Sequence, residues 1–138
     1  MMKFLPVLRK LVLAYQAFEQ YSVPHVKSLG LTMTQFDVIA TLGNQPPMTC
    51  KDLGEKTLVT KGTLTGVLDR LEQKALIKRT VNKEDARSQM ISLTLEGEKL
   101  FEKVFPKHLD YLGDAFNKLS TKDLEMLSES LEKLKNIF

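Results

Sequence analysis

Two groups of side chains in this 138-residue chain are equipped to hold an anionic, hydrogen-bonding surface. The first is Thr60, Lys61, Thr63 and Thr65, which crowd hydroxyls and an ammonium into the start of a helical pattern. Hydroxyls donate or accept at base edges and phosphate oxygens, and a lysine reaches guanine or phosphate. A helix N-terminus adds free N–H groups and the positive end of its dipole. The second group is Asp85 and Arg87 in the polar run NKEDARS. A guanidinium at a loop tip suits a narrow, negative groove, and the carboxylate can hold the loop or orient the arginine. An exposed ion pair in a solvated turn, worth about 0–1 kcal/mol, is the plain alternative. Arg70, Lys78, Arg79 and Lys83 surround these groups as candidate phosphate contacts, Arg70 also being placed to cover its own helix face. Gly62 and Gly66, four apart on one helix face, fit either close approach of a ligand or packing against a neighbouring helix.

Other chemistry finds no carrier. No nucleophile elbow, phosphate loop, dinucleotide fingerprint or zincin motif occurs, so an enzyme is not expected. His25, His108 and Cys50 lack the spacing of a metal site, and no cofactor is expected. A lone cysteine excludes an internal disulfide and fits a reducing, cytoplasmic setting. No apolar run approaches the roughly 18–20 residues that span a bilayer. The opening MMKFLPVLRKLVLAYQAF has a helical period and no small-residue cleavage site, and reads as a mature helix.

Net charge is only +3, but its placement is informative. Thr49 to Ser92 holds nine Lys and Arg against six Asp and Glu, and the remainder balances at eleven of each. The whole excess lies on the segment bearing the two groups above, where a phosphate-facing surface would need it.

The elements that position those groups follow from periodicity. Phe4, Leu8, Leu11, Tyr15, Phe18 and Ser22 form one stripe of a long first helix closing near Gly30, with Pro6 harmless in its first turn. Thr34 reads as the next N-cap, before a short helix with Phe36, Val38, Ile39 and Leu42 inward and Gly43-Asn44 as its stop. Thr49 with Asp52 caps a brief helix from Cys50 to Lys56-Thr57, and Leu58-Val59 reads as an apolar helix-helix turn. Thr60 caps a third helix with Leu64, Val67, Leu68 and Leu71 inward. From Leu76 the period drops to two on both sides of NKEDARS, giving a two-stranded hairpin with a projecting loop. Helix returns beyond Gly97 with the stripe Phe101, Phe105, Leu109, Leu112 and Phe116, which Pro106 should kink or break. Ser120 and Asp123 then start a last helix carrying Leu124, Leu127, Leu131, Leu134 and Phe138. The expected class is mainly α with a small β hairpin wing: a winged helix-turn-helix at 33–95, flanked by dimerisation helices at 1–32 and 96–138. The small winged module cannot cover both terminal stripes, so pairing with a second copy is expected.

Taken together, LTMTQFDVIATL, the KDLGEKT…TKGTLTGVLDRLEQKALIKR block, the D-A-R wing and the exit ISLTLEGEKL resemble the MarR family of bacterial transcription regulators over nearly the whole chain. The resemblance implies homodimers on pseudo-palindromic double-stranded DNA, usually as repressors, with binding relieved by a small-molecule effector or by thiol oxidation. It assigns Thr60, Lys61, Thr63 and Thr65 to the major groove and Asp85 with Arg87 to the wing. The chain departs from the family twice: Ala75 stands where L-E-x-x-G-L would have glycine, and Ala86 where the wing would carry a first arginine. A winged-helix protein-interaction module without sequence-specific DNA binding is the alternative that Ala86 and the low net charge leave open.

Two candidate sensing features remain. Cys50, in the first turn of a helix beside Lys51, is a candidate redox residue, with a buried or inert cysteine as the plainer reading. The family's effector pocket lies between the dimerisation helices and the winged module, where Tyr15, His25, Met33 and Phe36 are the candidate lining; they serve equally well as core.

Overall fold

Each short helix is started by a hydroxyl or stopped by a backbone exception. The computed structural model describes residues 2–138 as α1 (Leu5–Ser28), α2 (Met33–Leu42), β1 (Met48–Thr49), α3 (Cys50–Lys56), α4 (Lys61–Gln73), β2 (Ile77–Val81), β3 (Gln89–Leu93), α5 (Leu95–Phe116) and α6 (Thr121–Asn136). Thr32, not Thr34, caps α2: its Oγ1 accepts the Gln35 N–H at 3.2 Å while Gln35 Oε1 accepts the Thr32 N–H at 3.1 Å. Only Thr32 has an amide side chain three residues on to close this capping box. Three residues after Thr34 stands Asp37, whose carboxylate instead accepts the Leu58 N–H at 2.7 Å. Thr49 and Ser120 accept the Asp52 and Asp123 N–H groups, both at 3.1 Å, as their spacing predicts.

The hairpin of β2 and β3 gains a third strand, so the sheet runs β1-β3-β2, antiparallel throughout, with Met48 opposite Ile91 and Arg79 opposite Ile91 on the other side. Two residues are too few to show alternation, which is why β1 escapes a reading by period. Met48, Ile77, Ile91 and Leu93 of the sheet join Val38, Ile39 and Leu42 of α2, Leu53 of α3 and Leu64, Val67, Leu68 and Leu71 of α4 in one buried cluster. Each such side chain contributes about 1.5–3 kcal/mol by leaving water.

Three positions fix how the elements join. Ala75 follows α4 with φ +60°, and its N–H donates to the Glu72 carbonyl while that of Leu76 donates to Leu71. This is a Schellman closure made in the left-handed region without glycine. A Cβ on Gly97 would fall on the Leu76 carbonyl oxygen, and one on Gly43 would fall on the Phe101 ring. Both glycines are therefore required by close approach rather than by φ.

α5 starts at Leu95, before Gly97, and continues through Pro106, so of the expected kink or break the break does not occur. The proline forfeits only its own rung, and the buried Phe101, Val104 and His108 hold the helix on both sides of it. α1 likewise continues past Pro24. The chain divides into two compact units, one ending at His108 and one comprising Leu109–Phe138. The second contains the end of α5, a turn closed by the Asn117 N–H on the Gly113 carbonyl at 2.8 Å, and α6, of which no residue is buried. Large apolar side chains stand exposed in both units: Phe4, Leu8 and Val12 on α1 and its N-cap, and Met126, Leu127 and Leu131 on α6.

Candidate nucleic-acid interface

The outer face of α4 is set by the four leucine and valine anchors that turn its other face inward. With Leu64, Val67, Leu68 and Leu71 buried, Thr60, Lys61, Thr63, Thr65 and Arg70 are all exposed. Thr60 occupies the cap position without capping, because its hydroxyl donates to Thr63 Oγ1 at 3.0 Å. A Cβ on Gly62 or Gly66 would meet nothing within 4 Å. Packing against a neighbouring helix within the chain therefore does not explain these glycines; they leave the α4 backbone bare at 62 and 66, beside Lys61 and Thr65.

The turn leading into α4 is anchored by Asp37, and only half of it behaves as its composition suggests. Val59 is buried, whereas Leu58, two residues before Thr60, is 91% exposed. Its backbone is the group that Asp37 holds. Sequence reasoning missed this pair because a helix-surface aspartate 21 residues away carries no local signal.

The wing builds its own shape. Asn82 Nδ2 donates to Ser88 Oγ at 2.9 Å and Asn82 Oδ1 accepts the Glu84 N–H at 3.1 Å. Asp85 Oδ1 accepts the Arg87 N–H at 3.0 Å and lies 3.4 Å from Arg87 Nε. The carboxylate thus closes the turn and steadies the base of the arginine, whose side chain is 94% exposed. Lys83 is exposed on the same loop. Asn82 and Ser88, the loop's hinge pair, were not singled out by sequence; an Asn and a Ser bracketing a polar run are its only trace there.

Arg79 is not a free phosphate contact. Its guanidinium donates to Asp69 Oδ1 at 2.7 Å and lies 3.9 Å from Glu72, and the side chain is 21% exposed. It ties β2 to α4, and so fixes the wing relative to the helix whose outer face carries Lys61 and Thr65. Cys50, Lys51, Thr65, Arg79, Asp85 and Arg87 are among the residues that line one cleft of about 680 Å³. Cys50 is exposed, which removes the buried reading of it. Thr60, Lys61, Thr63, Arg70 and Lys83 lie outside this cleft's lining.

The candidate effector residues separate. Tyr15 is exposed, while His25 and Phe36 meet His108, a buried residue absent from the expected lining, and Met33 meets Ser22 beside it. His25 Nδ1 lies 2.9 Å from His108 Nδ1, Ser22 Oγ lies 3.1 Å from His108 Nε2, and the Phe36 ring meets His108 edge to face at 4.7 Å. Burial, then the neighbouring His25, lowers the His108 pKa from its ordinary value. No group of three or more metal-binding side chains occurs among the described residues, and none of their helices is long and apolar enough to cross a membrane.

A short helix pair locked at a pinned turn, an outward helix rich in hydroxyls and a wing ending in arginine define a winged helix-turn-helix. Residues 31–89 match the family model for MarR. The chain is 30% identical over 121 residues to the HTH-type transcriptional regulator MhqR of Bacillus subtilis (strain 168), covering 88% of this chain and 83% of that protein. It is 37% identical over 116 residues to the organic hydroperoxide resistance transcriptional regulator of the same organism, covering 84% and 77%. The structure of Sco3205 from Streptomyces coelicolor, a MarR family transcriptional regulator in complex with DNA, superposes with a TM-score of 0.86 at 22% identity, covering 94% of this chain and 83% of that one. The chain belongs to the MarR family of winged helix-turn-helix transcriptional regulators, which are DNA-binding proteins rather than enzymes.

Proposed function

We propose that this protein is a cytoplasmic, homodimeric repressor that grips a pseudo-palindromic operator and lets go in response to a small effector or to oxidation. The observation that carries the DNA reading is the shared cleft of α4 and the wing, where Thr65 and Arg87 face the same space. In this reading Thr60, Lys61, Thr63 and Thr65 enter the major groove, Arg87 enters the adjoining minor groove steadied by Asp85, and Arg70 and Lys83 meet phosphates. The bare backbone at Gly62 and Gly66 lets α4 approach the duplex closely.

The exposed apolar side chains of α1 and α6 support pairing of residues 1–32 and 96–138 with those of a second copy. Such a dimer presents two copies of α4 to half-sites about one DNA turn apart, roughly 34–36 Å. Exposure of Cys50 in the lining of the same cleft supports oxidation there as one route of release, since an added group would stand where this reading places the duplex.

Selection of bound duplexes from a randomised pool, repeated at two salt concentrations, tests the reading. Enrichment of an inverted repeat, with affinity falling as salt rises, is expected. Binding without a motif, or none, would leave the winged module as a protein-interaction surface.

A further inference from the structure

The end of α4 that carries most of the proposed base contacts is the end the helix itself holds least. Its first buried residue is Leu64, so Lys61, Gly62 and Thr63 all precede the point where the helix is seated on the core. The cap position gives no help, because the Thr60 hydroxyl is turned to Thr63 and accepts none of the first backbone N–H groups. Glycine at 62 adds backbone freedom in the same turn. An uncapped first turn of this kind frays unless the chain leading into it is fixed.

That chain is fixed from another element. α3 closes with the Thr57 N–H on the Leu53 carbonyl at 2.9 Å, and α4 opens with the Thr63 N–H on the Thr60 carbonyl at 3.0 Å. Of the N–H groups of Leu58, Val59 and Thr60 in between, only that of Leu58 has a hydrogen-bond acceptor among the described residues, and the acceptor is Asp37 Oδ2 at 2.7 Å. The bond is short, its acceptor is a carboxylate, and it joins positions 21 residues apart. Asp37 is in turn held in place, since its α2 neighbours Phe36 and Val38 are buried.

We propose that Asp37 is a positioning residue for DNA reading: through the Leu58 N–H it sets where the first turn of α4 stands, and with it the hydroxyls of Thr60 and Thr63 and the Lys61 ammonium. This role rests on the proposed function, whose interface it supports from outside. A base contact forms only within the narrow distance and angle of a hydrogen bond, whereas an ammonium attracts a phosphate from a range of positions. Loosening the turn therefore costs discrimination between sequences and leaves the general attraction to a duplex.

The charge of Asp37 gives the test its sign. A carboxylate beside a phosphate-binding surface repels the duplex, so by charge alone any neutral replacement would tighten binding. Positioning predicts the opposite for a replacement that cannot accept the Leu58 N–H, and no loss for one that can. Asp37→Ala has no acceptor to offer, and Asp37→Asn keeps an oxygen there.

Fluorescence anisotropy on two labelled duplexes makes the comparison, one bearing a half-site of the inverted repeat selected from the randomised pool and one with that half-site scrambled. If the turn in Asp37→Ala stands in place about a tenth of the time, affinity for the selected half-site falls about tenfold. Affinity for the scrambled duplex should hold or rise, and Asp37→Asn should keep the wild-type preference between the two. Amide exchange without DNA gives a second readout: Leu58, Thr63 and Leu64 should exchange faster in Asp37→Ala, while Leu68 and Leu71 stay as protected as in the wild type. Tighter binding of both duplexes by Asp37→Ala would assign Asp37 to charge alone and overturn the proposal. Equal loss on both, with faster exchange at Leu68 and Leu71, would make it a general support of the fold and overturn it too. Should Asp37→Ala not fold, the wild-type spectra decide, since a Leu58 amide that exchanges as freely as those of Val59 and Thr60 has no acceptor and ends the proposal. Unchanged affinity of Asp37→Ala for a selected half-site overturns this role alone, whereas a pool that yields no motif for the wild type overturns the proposed function and this role with it.

Discussion

At the scale of single residues, Arg87 and Ala75 make opposite demands on the chain. Arg87 is almost wholly in solvent and gains nothing from the fold, yet Asp85 organises both its backbone and its Nε. A side chain steadied but not buried is held for something outside the protein. Arg87→Ala should weaken operator binding by about 1–3 kcal/mol while leaving Tm unchanged, whereas Lys83→Ala should weaken binding evenly across sequences and flatten the salt slope by about one charge. Fluorescence anisotropy over a salt series separates the two, and an unchanged affinity in Arg87→Ala would remove the wing from the interface. Ala75 bears a conformation that costs an L-residue about 1–2 kcal/mol, at the one helix end where relatives are expected to carry glycine. Ala75→Gly relieves that strain but adds freedom to the unfolded chain, so a net gain of roughly 0.5–1 kcal/mol is expected in chemical denaturation. A loss would mean that the Schellman closure tolerates the alanine without strain.

At the scale of elements, the site depends on joints that local sequence records unevenly. Helices capped by Thr49 and Ser120 and the inward face of α4 could be read directly, because caps and periodicity are local properties. The outward placement of Thr60, Lys61, Thr63 and Thr65 followed from that same face. The cap at Thr32 was displaced to Thr34 because two threonines compete there, and only the third residue onward, Gln35 or Asp37, decides between them. Long-range partners left no such mark. Arg79 looked like any cation on a strand until Asp69 and Glu72 were seen to face it across the α4–β2 junction, and Asp37 gave no hint of its hold on Leu58. His108 was hidden for the same reason: a histidine is assigned a role by what it meets, and Ser22 and His25 lie more than 80 residues away.

These joints are testable as joints. Arg79→Met keeps the apolar stem and removes the ion pair, so a modest destabilisation of about 1 kcal/mol is expected, with faster amide exchange confined to β2 and the wing. Global acceleration of exchange would show instead that Arg79 supports the core. Gly97→Ala drives a methyl onto the Leu76 carbonyl, which also accepts the Thr94 N–H, and should cost about 1–3 kcal/mol in thermal or denaturant unfolding. An alanine tolerated there would mean that the approach of α5 to the end of α4 is loose.

At the scale of the whole molecule, the question is what covers the apolar side chains that neither unit buries within itself. Met126, Leu127 and Leu131 of α6 are each about half exposed or more in the described structure, as are Phe4 and Leu8 at the start of α1. Left in water, such surface costs roughly 25 cal/mol per Å², and its natural cover in a symmetric regulator is its own counterpart on a second copy. If so, dimerisation and DNA affinity are linked through effective concentration: once one copy of α4 has docked, the other binds its half-site as an intramolecular event, and affinity rises by about 10²–10⁴ without new contacts. Placing a charge in this surface, as in Leu127→Glu combined with Leu131→Glu, should then leave the winged module folded by circular dichroism and shift sedimentation to the monomer. Affinity for the full inverted repeat should fall by that same factor, down to the affinity shown by a single half-site. The half-site itself provides the control, because its affinity depends on α4 and the wing alone and should be the same for both proteins. A double variant that stays dimeric would place the covering surface elsewhere, and one that becomes monomeric yet keeps full-site affinity would show that the two copies of α4 act independently.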